Sequence, residues 1–304
     1  MWSAVQNWIS QYVGDTPFGQ QSFWEQVLTL IGKYGPSYMD GVGKTMIIAI
    51  VGTIVGLAIG LGVGIIQTIP LSQRDSVPKK IGVKFLKALM LVYVEVFRGT
   101  PMMIQAVFIY FGIPYVSGYH IDILPAAFLI ISVNTGAYMA ETVRGGILSI
   151  DPGQTEGAKA IGMTHVQTML NVILPQTMRN IMPQIGNNLI INIKDSCVLS
   201  VIGVMELFFA HKSVAGASYA YFPSATITMV IYLVLTVICS RILRVMEKKM
   251  DGSDSYDLAT SDTLAHTTGL YSYPKRGSNF DERSLEYEKG STDETEKQEG
   301  GEKQ

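Results

Sequence analysis

The chain has 304 residues, of which 48% are hydrophobic and only 16% charged, where soluble domains usually carry about 25% charge. Positions 250–304 hold 13 of the 25 acidic and 6 of the 23 basic residues, which leaves an apolar body, 1–249, with 12 acidic and 17 basic residues. Such a body excludes a soluble multi-domain enzyme and a disulfide-stapled secreted module, because its long uncharged runs exceed what a core of this size can hide. The two cysteines, Cys197 and Cys239, both lie in apolar runs and read as small buried residues.

The N-terminal segment, 1–40, has no positive charge before Lys33 and no compact apolar stretch followed by a small-residue cleavage site. No signal peptide is expected there. Phe23, Trp24, Val27, Leu28 and Ile31 recur at helical spacing, which predicts an interfacial amphipathic helix on the outer surface. Gly41-Val42-Gly43-Lys44-Thr45 imitates the end of a phosphate-binding loop, but Tyr38 stands where the leading glycine is required.

A membrane helix needs roughly 20 mainly apolar residues, and five segments meet that: 45–69, 86–113, 124–150, 183–209 and 225–245. In the first, Gly52, Gly56, Gly60 and Gly64 recur every four residues and predict a smooth face for close helix packing. The second contains Glu95, Arg98 and Pro101 and is expected to break near Gly99-Thr100-Pro101. The fourth contains Lys194, Asp195 and Glu206.

Between the third and fourth spans, Asp151 caps a short predicted helix with Pro152 in its first position. Glu156, Ala158 and Ala160 suit that helix and Gly162 suits its left-handed stop. Thr164 and Gln167 form a capping box for a second helix, which Pro175 is expected to end. The tail, 251–304, is rich in Ser, Thr, Gly, Asp and Glu and is expected to be disordered.

Orientation follows the Lys/Arg bias. Arg74, Lys79, Lys80, Lys84 and Lys87 crowd the first loop, Arg144, Lys159 and Arg179 the third, and Arg241, Arg244, Lys248 and Lys249 the end of the last span. The intervening loops carry only Lys212. The expected fold is thus an all-α integral membrane protein of five helices, with the N-terminus outside, a transmembrane domain at 41–250 and a cytoplasmic acidic tail. His120, His165, His211 and His266 are scattered without paired ligand spacing, so no metal or catalytic site is expected.

Glu156-Gly157-Ala158, Gly162 and Val172-Ile173-Leu174-Pro175 resemble the EAA loop of ATP-binding-cassette importer permeases. Glu95-Val96-Phe97-Arg98-Gly99-Thr100-Pro101, Glu141-Thr142-Val143-Arg144-Gly145-Gly146-Ile147, Lys194-Asp195-Ser196 and Ile202-Gly203-Val204-Met205-Glu206-Leu207 resemble its polar amino acid subgroup. The resemblance spans roughly 38–250. It implies a permease subunit in a bacterial cell membrane that takes a polar amino acid into the cytoplasm and is not itself an enzyme. It implies three protein partners: an ABC ATPase dimer that holds ATP and magnesium, a second permease copy or homologue, and an extracytoplasmic amino-acid-binding protein. The chain itself is expected to bind no cofactor and no nucleic acid. On this resemblance Pro152, Glu156, Gly157, Ala158, Gly162, Leu174 and Pro175 couple the chain to the ATPase.

A charge at mid-membrane costs at least about 2.5–3.5 kcal/mol and asks for a partner or a wet path. Lys194 and Asp195, with Ser196 and Glu141, are therefore candidates for the substrate path. The alternative is an ion-pair brace of Lys194 and Asp195 with Glu141, Arg144 or a second subunit. Asn188 and Asn192, four residues apart, either line the path or join helices by amide hydrogen bonds. Glu95 and Arg98 are expected to pair with each other. Three competing functions are a same-family permease for another solute, an ion-coupled secondary transporter and a membrane anchor. The secondary transporter calls for inverted repeats, which five spans and one helical loop do not supply.

Overall fold

The computed structural model describes residues 2–14, 16–71 and 76–250, with side chains through Glu247. The expected acidic tail, and Arg74 in the first basic loop, lie outside the described residues. Every regular element among the described residues is helical.

Helix α1 (Trp2–Val13) is followed by α2 (Phe23–Thr68), whose start is fixed by a capping box between Ser22 and Glu25. At 1.5 Å per residue α2 is about 69 Å long, more than twice the roughly 30 Å hydrocarbon layer. Phe23–Ile31 is thus the N-terminal part of the continuous helix α2 and not a separate helix. Inside α2, Pro36 cannot donate to the carbonyl of Gly32. Helix α1 supplies the missing donors: Trp2 Nε1 lies 3.1 Å and Gln6 Nε2 2.9 Å from Gly32 O. Gly35 has no Cβ, which leaves room for the Trp2 ring on the same face.

Helix α3 (Val77–Gly99) ends at Thr100, whose extended backbone (φ −119°, ψ 145°) is the conformation a following proline imposes. Helix α4 (Met102–Ser117) follows, with a π turn at Phe108–Gly112. The freed carbonyls at the break are held by Gln105, whose Nε2 donates to Phe97 O and Thr100 O, both at 2.9 Å. Helix α5 (Ile123–Leu148) is the centre of the body, with Ala126, Ala127, Ile130, Ile131, Ala137 and Ala140 fully buried.

Helix α6 (Pro152–Ala160) and α7 (His165–Thr168) are the two short helices expected between the third and fourth predicted spans. The second of these does not stop at Pro175. It passes through a π turn (Met169–Ile173) directly into α8 (Leu174–Asp195). The widened turn removes the clash with the preceding carbonyl that would otherwise end the helix. The expected fourth span is not one helix either. After Asp195 come a 3-10 turn (Ser196–Ile202), Gly203 at φ +91° and a separate helix, α9 (Leu207–Ser218). Helix α10 (Tyr221–Met250) closes the body. By length and composition, α2, α5 and Tyr221–Glu247 are long and apolar enough to cross a membrane, and α4 is a shorter apolar helix.

The α2–α5 contact is the most extensive in the fold. A Cβ added at Gly52, Gly56 or Gly64 would lie 2.7 Å from Ile131, Thr135 or Val143 side-chain atoms, and one at Gly60 would meet the Met139 and Ala140 backbone at 2.8–2.9 Å. Both partner sets step by four and rise together, so α2 and α5 run parallel with backbones in near contact. Replacing Gly60 by leucine should therefore destabilise the protein by at least about 1–3 kcal/mol, because the obstacle is backbone. Gly62 faces open space, so Gly62→Leu should stay within about 0.5 kcal/mol. Thermal unfolding of the two purified variants tests this, and equal melting would contradict the packing argument.

Candidate functional site

A polar cavity of about 520 Å³ opens where the α3–α4 break faces α5 and α8. Its wall includes Arg98, Thr100, Asn134, Thr135, Tyr138, Asn188, Asn192 and Asp195. The break itself exposes Gly99, Thr100 and Pro101 to the cavity.

The amides in the wall are held firmly. Asn192 Nδ2 donates to Thr53 Oγ1 at 2.9 Å, and its Oδ1 accepts from Thr135 Oγ1 at 3.0 Å. Thr53 Oγ1 donates in turn to Ala49 O at 2.7 Å. One asparagine thus ties α8 to both α2 and α5. Asn134 Nδ2 donates to Gln105 Oε1 at 3.0 Å, and Gln105 is the residue that holds the α3–α4 break. Asn188 Nδ2 donates to Gln184 O within its own helix at 3.1 Å. Asn192 therefore joins helices and lines the cavity at once.

The charges differ from the sequence expectation. Arg98 does not pair with Glu95. Arg98 reaches across to α5, where Nη1 lies 3.4 Å from Glu141 Oε2, and its guanidinium sits 5.5 Å from the centre of the Tyr138 ring. Glu141 also takes Arg144 Nε and Nη2 at 3.3 Å. One carboxylate shared by two guanidiniums forms a cluster about one-third exposed, while Glu95 points away and is exposed. Lys194 is exposed and is not part of the cavity wall, although its neighbour Asp195 is. A turn of roughly 100° per residue separates the two side chains. Ser196 is buried, with Oγ donating to Ile193 O at 2.9 Å, and it too is outside the wall.

Asn134, Thr135, Gln105 and Tyr138 were not anticipated. The available signal was polar residues at 134 and 135 inside the third span, four and three positions before Tyr138.

Glu206 has a different job. Its two carboxylate oxygens accept from Phe208 N and Phe209 N at 2.8 Å and so cap α9, and Oε2 also accepts from Tyr232 Oη at 3.0 Å. Its neighbour Leu207 donates N–H to Thr45 Oγ1 at 3.2 Å.

The α6–α7 hairpin is closed at both ends by local hydrogen bonds. Asp151 Oδ1 accepts from Gly153 N. The other end of α6 is closed by Met163 N–H to Ala158 O and Gly162 N–H to Lys159 O, both 3.0 Å, with Gly162 at φ +82°. This is the pattern of a left-handed C-terminal stop. Thr164 and Gln167 then start α7. Ala158 is buried; Pro152, Glu156, Gly157, Lys159 and Pro175 are exposed, and Ile161 is 79% exposed. Leu174 is half-buried. Gln176 Nε2 bridges to Gln154 Oε1 at 3.3 Å and links α6 to α8. Among the described residues no group of three His, Cys, Asp or Glu is placed to hold a metal ion.

Residues 82–252, more than half of the chain, match the family model described as binding-protein-dependent transport system inner membrane component. The chain is 40% identical over 161 residues to the glutamine transport system permease protein GlnP of Escherichia coli strain K12, covering 53% of this chain and 74% of that protein. It is 38% identical over 162 residues to the arginine transport system permease protein ArtQ of Bacillus subtilis strain 168, with the same coverage. In structure it is similar to a chain of an amino acid ABC transporter with histidines, at a TM-score of 0.64 and 32% identity, covering 76% of this chain and 99% of that one. The MetNI methionine ABC transporter, at a TM-score of 0.59 and 22% identity, shares the fold.

Replacing Asn192 with leucine should leave the Thr53 and Thr135 hydroxyls without their buried partner. The expected cost is about 0.5–2 kcal/mol, at the upper end of what interhelical hydrogen bonds contribute in membranes. Unfolding of the purified variant measures it, and an unchanged melting temperature would mean that the bridge is not structural.

Proposed function

The chain belongs to the family of binding-protein-dependent transport system inner membrane components, and on that premise we propose that it is the membrane-spanning permease of an ATP-driven importer for a polar amino acid. The observation that carries the solute class is the cavity wall, which holds one guanidinium, Arg98, and one carboxylate, Asp195, among the side-chain amides of Asn134, Asn188 and Asn192. A zwitterionic amino acid offers one anion and one cation, and amides serve its polar side chain. The relatives named for glutamine and arginine transport support the same class. Glu141 would act through Arg98, by holding its guanidinium at the cavity edge.

The expected test is uptake by the reconstituted transporter. Arg98→Gln and Asp195→Asn should each lower uptake about tenfold or more, the effect of losing one charge-assisted hydrogen bond of about 1.5–3 kcal/mol. Lys194→Gln, outside the wall, should stay within about twofold. Equal uptake by all three would remove the cavity from the path.

The proposed arrangement has five spans: α2, α4 with the deeper part of α3, α5, α8 with α9, and α10. The Lys/Arg bias supports an outer N-terminus and a cytoplasmic α6–α7 hairpin, and the bacterial relatives support a bacterial cell-membrane setting. In this reading 1–40 forms the outer end of the fold, 41–250 the transmembrane domain and 251–304 a cytoplasmic tail. The partners are an ATPase dimer, which carries ATP and magnesium, a second permease copy or homologue, and an extracytoplasmic binding protein. Helix α6 meets the ATPase through its exposed face, with Glu156 and Pro152 as contacts. Ala158, Gly162, Leu174 and Pro175 shape the hairpin, and Gly157 keeps that face low.

Coupling gives a second expectation. Gly162→Val forces a β-branched residue into positive φ, at about 1–3 kcal/mol, and Glu156→Lys reverses a charge on the docking face. Both variants should reach the membrane at normal abundance, co-purify less ATPase and lose uptake. Full uptake with full ATPase binding in both would rule out the hairpin as the coupling element.

A further inference from the structure

At the α3–α4 break the backbone on both sides of Arg98 is held by Gln105, a buried side chain of the following helix. Pro101 has no N–H to offer the carbonyl of Phe97, its partner four positions back in a regular helix. Gln105 Nε2 donates to that carbonyl at 2.9 Å, and lies 2.9 Å from Thr100 O and 2.8 Å from Thr100 Oγ1. Thr100 Oγ1 in turn donates to Val96 O at 2.8 Å. Gln105 Oε1 accepts from Asn134 Nδ2 on α5 at 3.0 Å, and the same Nδ2 lies 3.3 Å from Phe97 O.

Asn134, Tyr138 and Glu141 stand at i, i+4 and i+7, on one face of α5. The first holds the backbone beside Arg98. The other two meet its guanidinium, 5.5 Å from the Tyr138 ring centre and 3.4 Å from Glu141 Oε2. Arg98 is therefore registered against α5 at two levels roughly 10 Å apart, at 1.5 Å per residue. The two levels differ in strength. The Arg98 side chain is 40% exposed and its ion pair is long, and such a pair contributes little by itself. The Gln105–Asn134 level is buried, where a lost partner costs most.

We infer that Gln105 is a positioning residue for transport: by tying the broken backbone to Asn134 it sets where Arg98 holds its guanidinium in the cavity wall. A glutamine that served stability alone would need only to cap the freed carbonyls. Gln105 also bonds through its acceptor to Asn134, itself part of that wall. Slippage of the break along α5 would carry Arg98 away from both Tyr138 and Glu141. The inference rests on Arg98 acting in the transport path and adds the group that holds it there.

The test is a double-mutant cycle on uptake by the reconstituted transporter, with rates expressed per inserted molecule and solute-independent ATP hydrolysis measured alongside. Gln105→Met keeps the side-chain length and removes both donors and the acceptor. It should lower uptake about tenfold, the effect of losing roughly 1.4 kcal/mol of hydrogen bonding, and leave solute-independent ATP hydrolysis within about twofold. In the Arg98→Gln background the same change should cost less than about twofold, because the group it positions is gone. Thr100→Val removes only the hydroxyl link and serves where Gln105→Met fails to insert. It should cost about threefold with Arg98 present and less than about twofold without it. A merely structural role predicts that the losses multiply, so equal fold-losses in the two backgrounds would overturn the inference. A matching fall in solute-independent ATP hydrolysis would overturn it too, by placing the damage in the assembly. If Arg98→Gln alone leaves uptake unchanged, this inference falls together with the cavity reading; if Arg98→Gln lowers uptake and the losses multiply, it falls alone.

Discussion

Helices α2 and α5 approach so closely that no side chain would fit on the glycine face of α2, and the rest of the body is placed by that contact. In lipid there is little hydrophobic gain from bringing two apolar helices together, so van der Waals contact between backbones must supply the attraction. Gly52, Gly56, Gly60 and Gly64 permit it. The facing ridge on α5 includes Thr135, whose methyl side meets Gly56 while its hydroxyl donates to Asn192 on α8. Thr53, next to Gly52, accepts from the other end of the same amide. Packing ridge and cavity wall are thus built from the same turn of helix. A shift of α5 along α2 would move the amides that line the cavity.

A second constraint is that neither hydrocarbon nor a packed interior supplies water. Each break in a helix frees backbone groups that must find a partner within the protein. At Pro36 the carbonyl of Gly32 is taken by Trp2 and Gln6. At Thr100-Pro101 the carbonyls of Phe97 and Thr100 are taken by Gln105. At the start of α9 the N–H groups of Phe208 and Phe209 are taken by the Glu206 carboxylate. Helix α1 and the buried Glu206 both follow from this accounting, and neither needs a ligand to explain it.

The sequence made much of this legible. The glycine face, the Gly99-Thr100-Pro101 break, the Asp151 cap, the Gly162 stop and the Thr164–Gln167 box all depend on a few neighbouring residues, and all appear in the structure. What was hidden depends on elements distant in sequence. Arg98 chose Glu141, which is 43 positions away, over Glu95 because the α3–α5 packing presents that carboxylate. The cavity needed Asn134 and Thr135 to be brought beside Asn192, and spacing within one helix carries no such information. The role of Glu206 depended on where the fourth apolar run divides, and the run itself gave no clear sign of the division.

The overturned expectation at Pro175 has the largest mechanical consequence. A helix that stopped there would leave a joint between the α6–α7 hairpin and α8. Instead the chain from His165 to Asp195 is continuously helical, roughly 45 Å at 1.5 Å per residue. About a third of the way along, it is braced to α6 through Gln176 and Gln154. Its far end carries Asn188, Asn192 and Asp195 into the cavity wall. On the coupling reading, motion of α6 is delivered to the cavity by a rod and not through a hinge. Because Asn192 is tied to Thr53 and Thr135, displacing the rod must either break those two hydrogen bonds or carry α2 and α5 with it. In the first case the cavity wall changes on the α8 side only; in the second the glycine-packed α2–α5 pair moves with the rod.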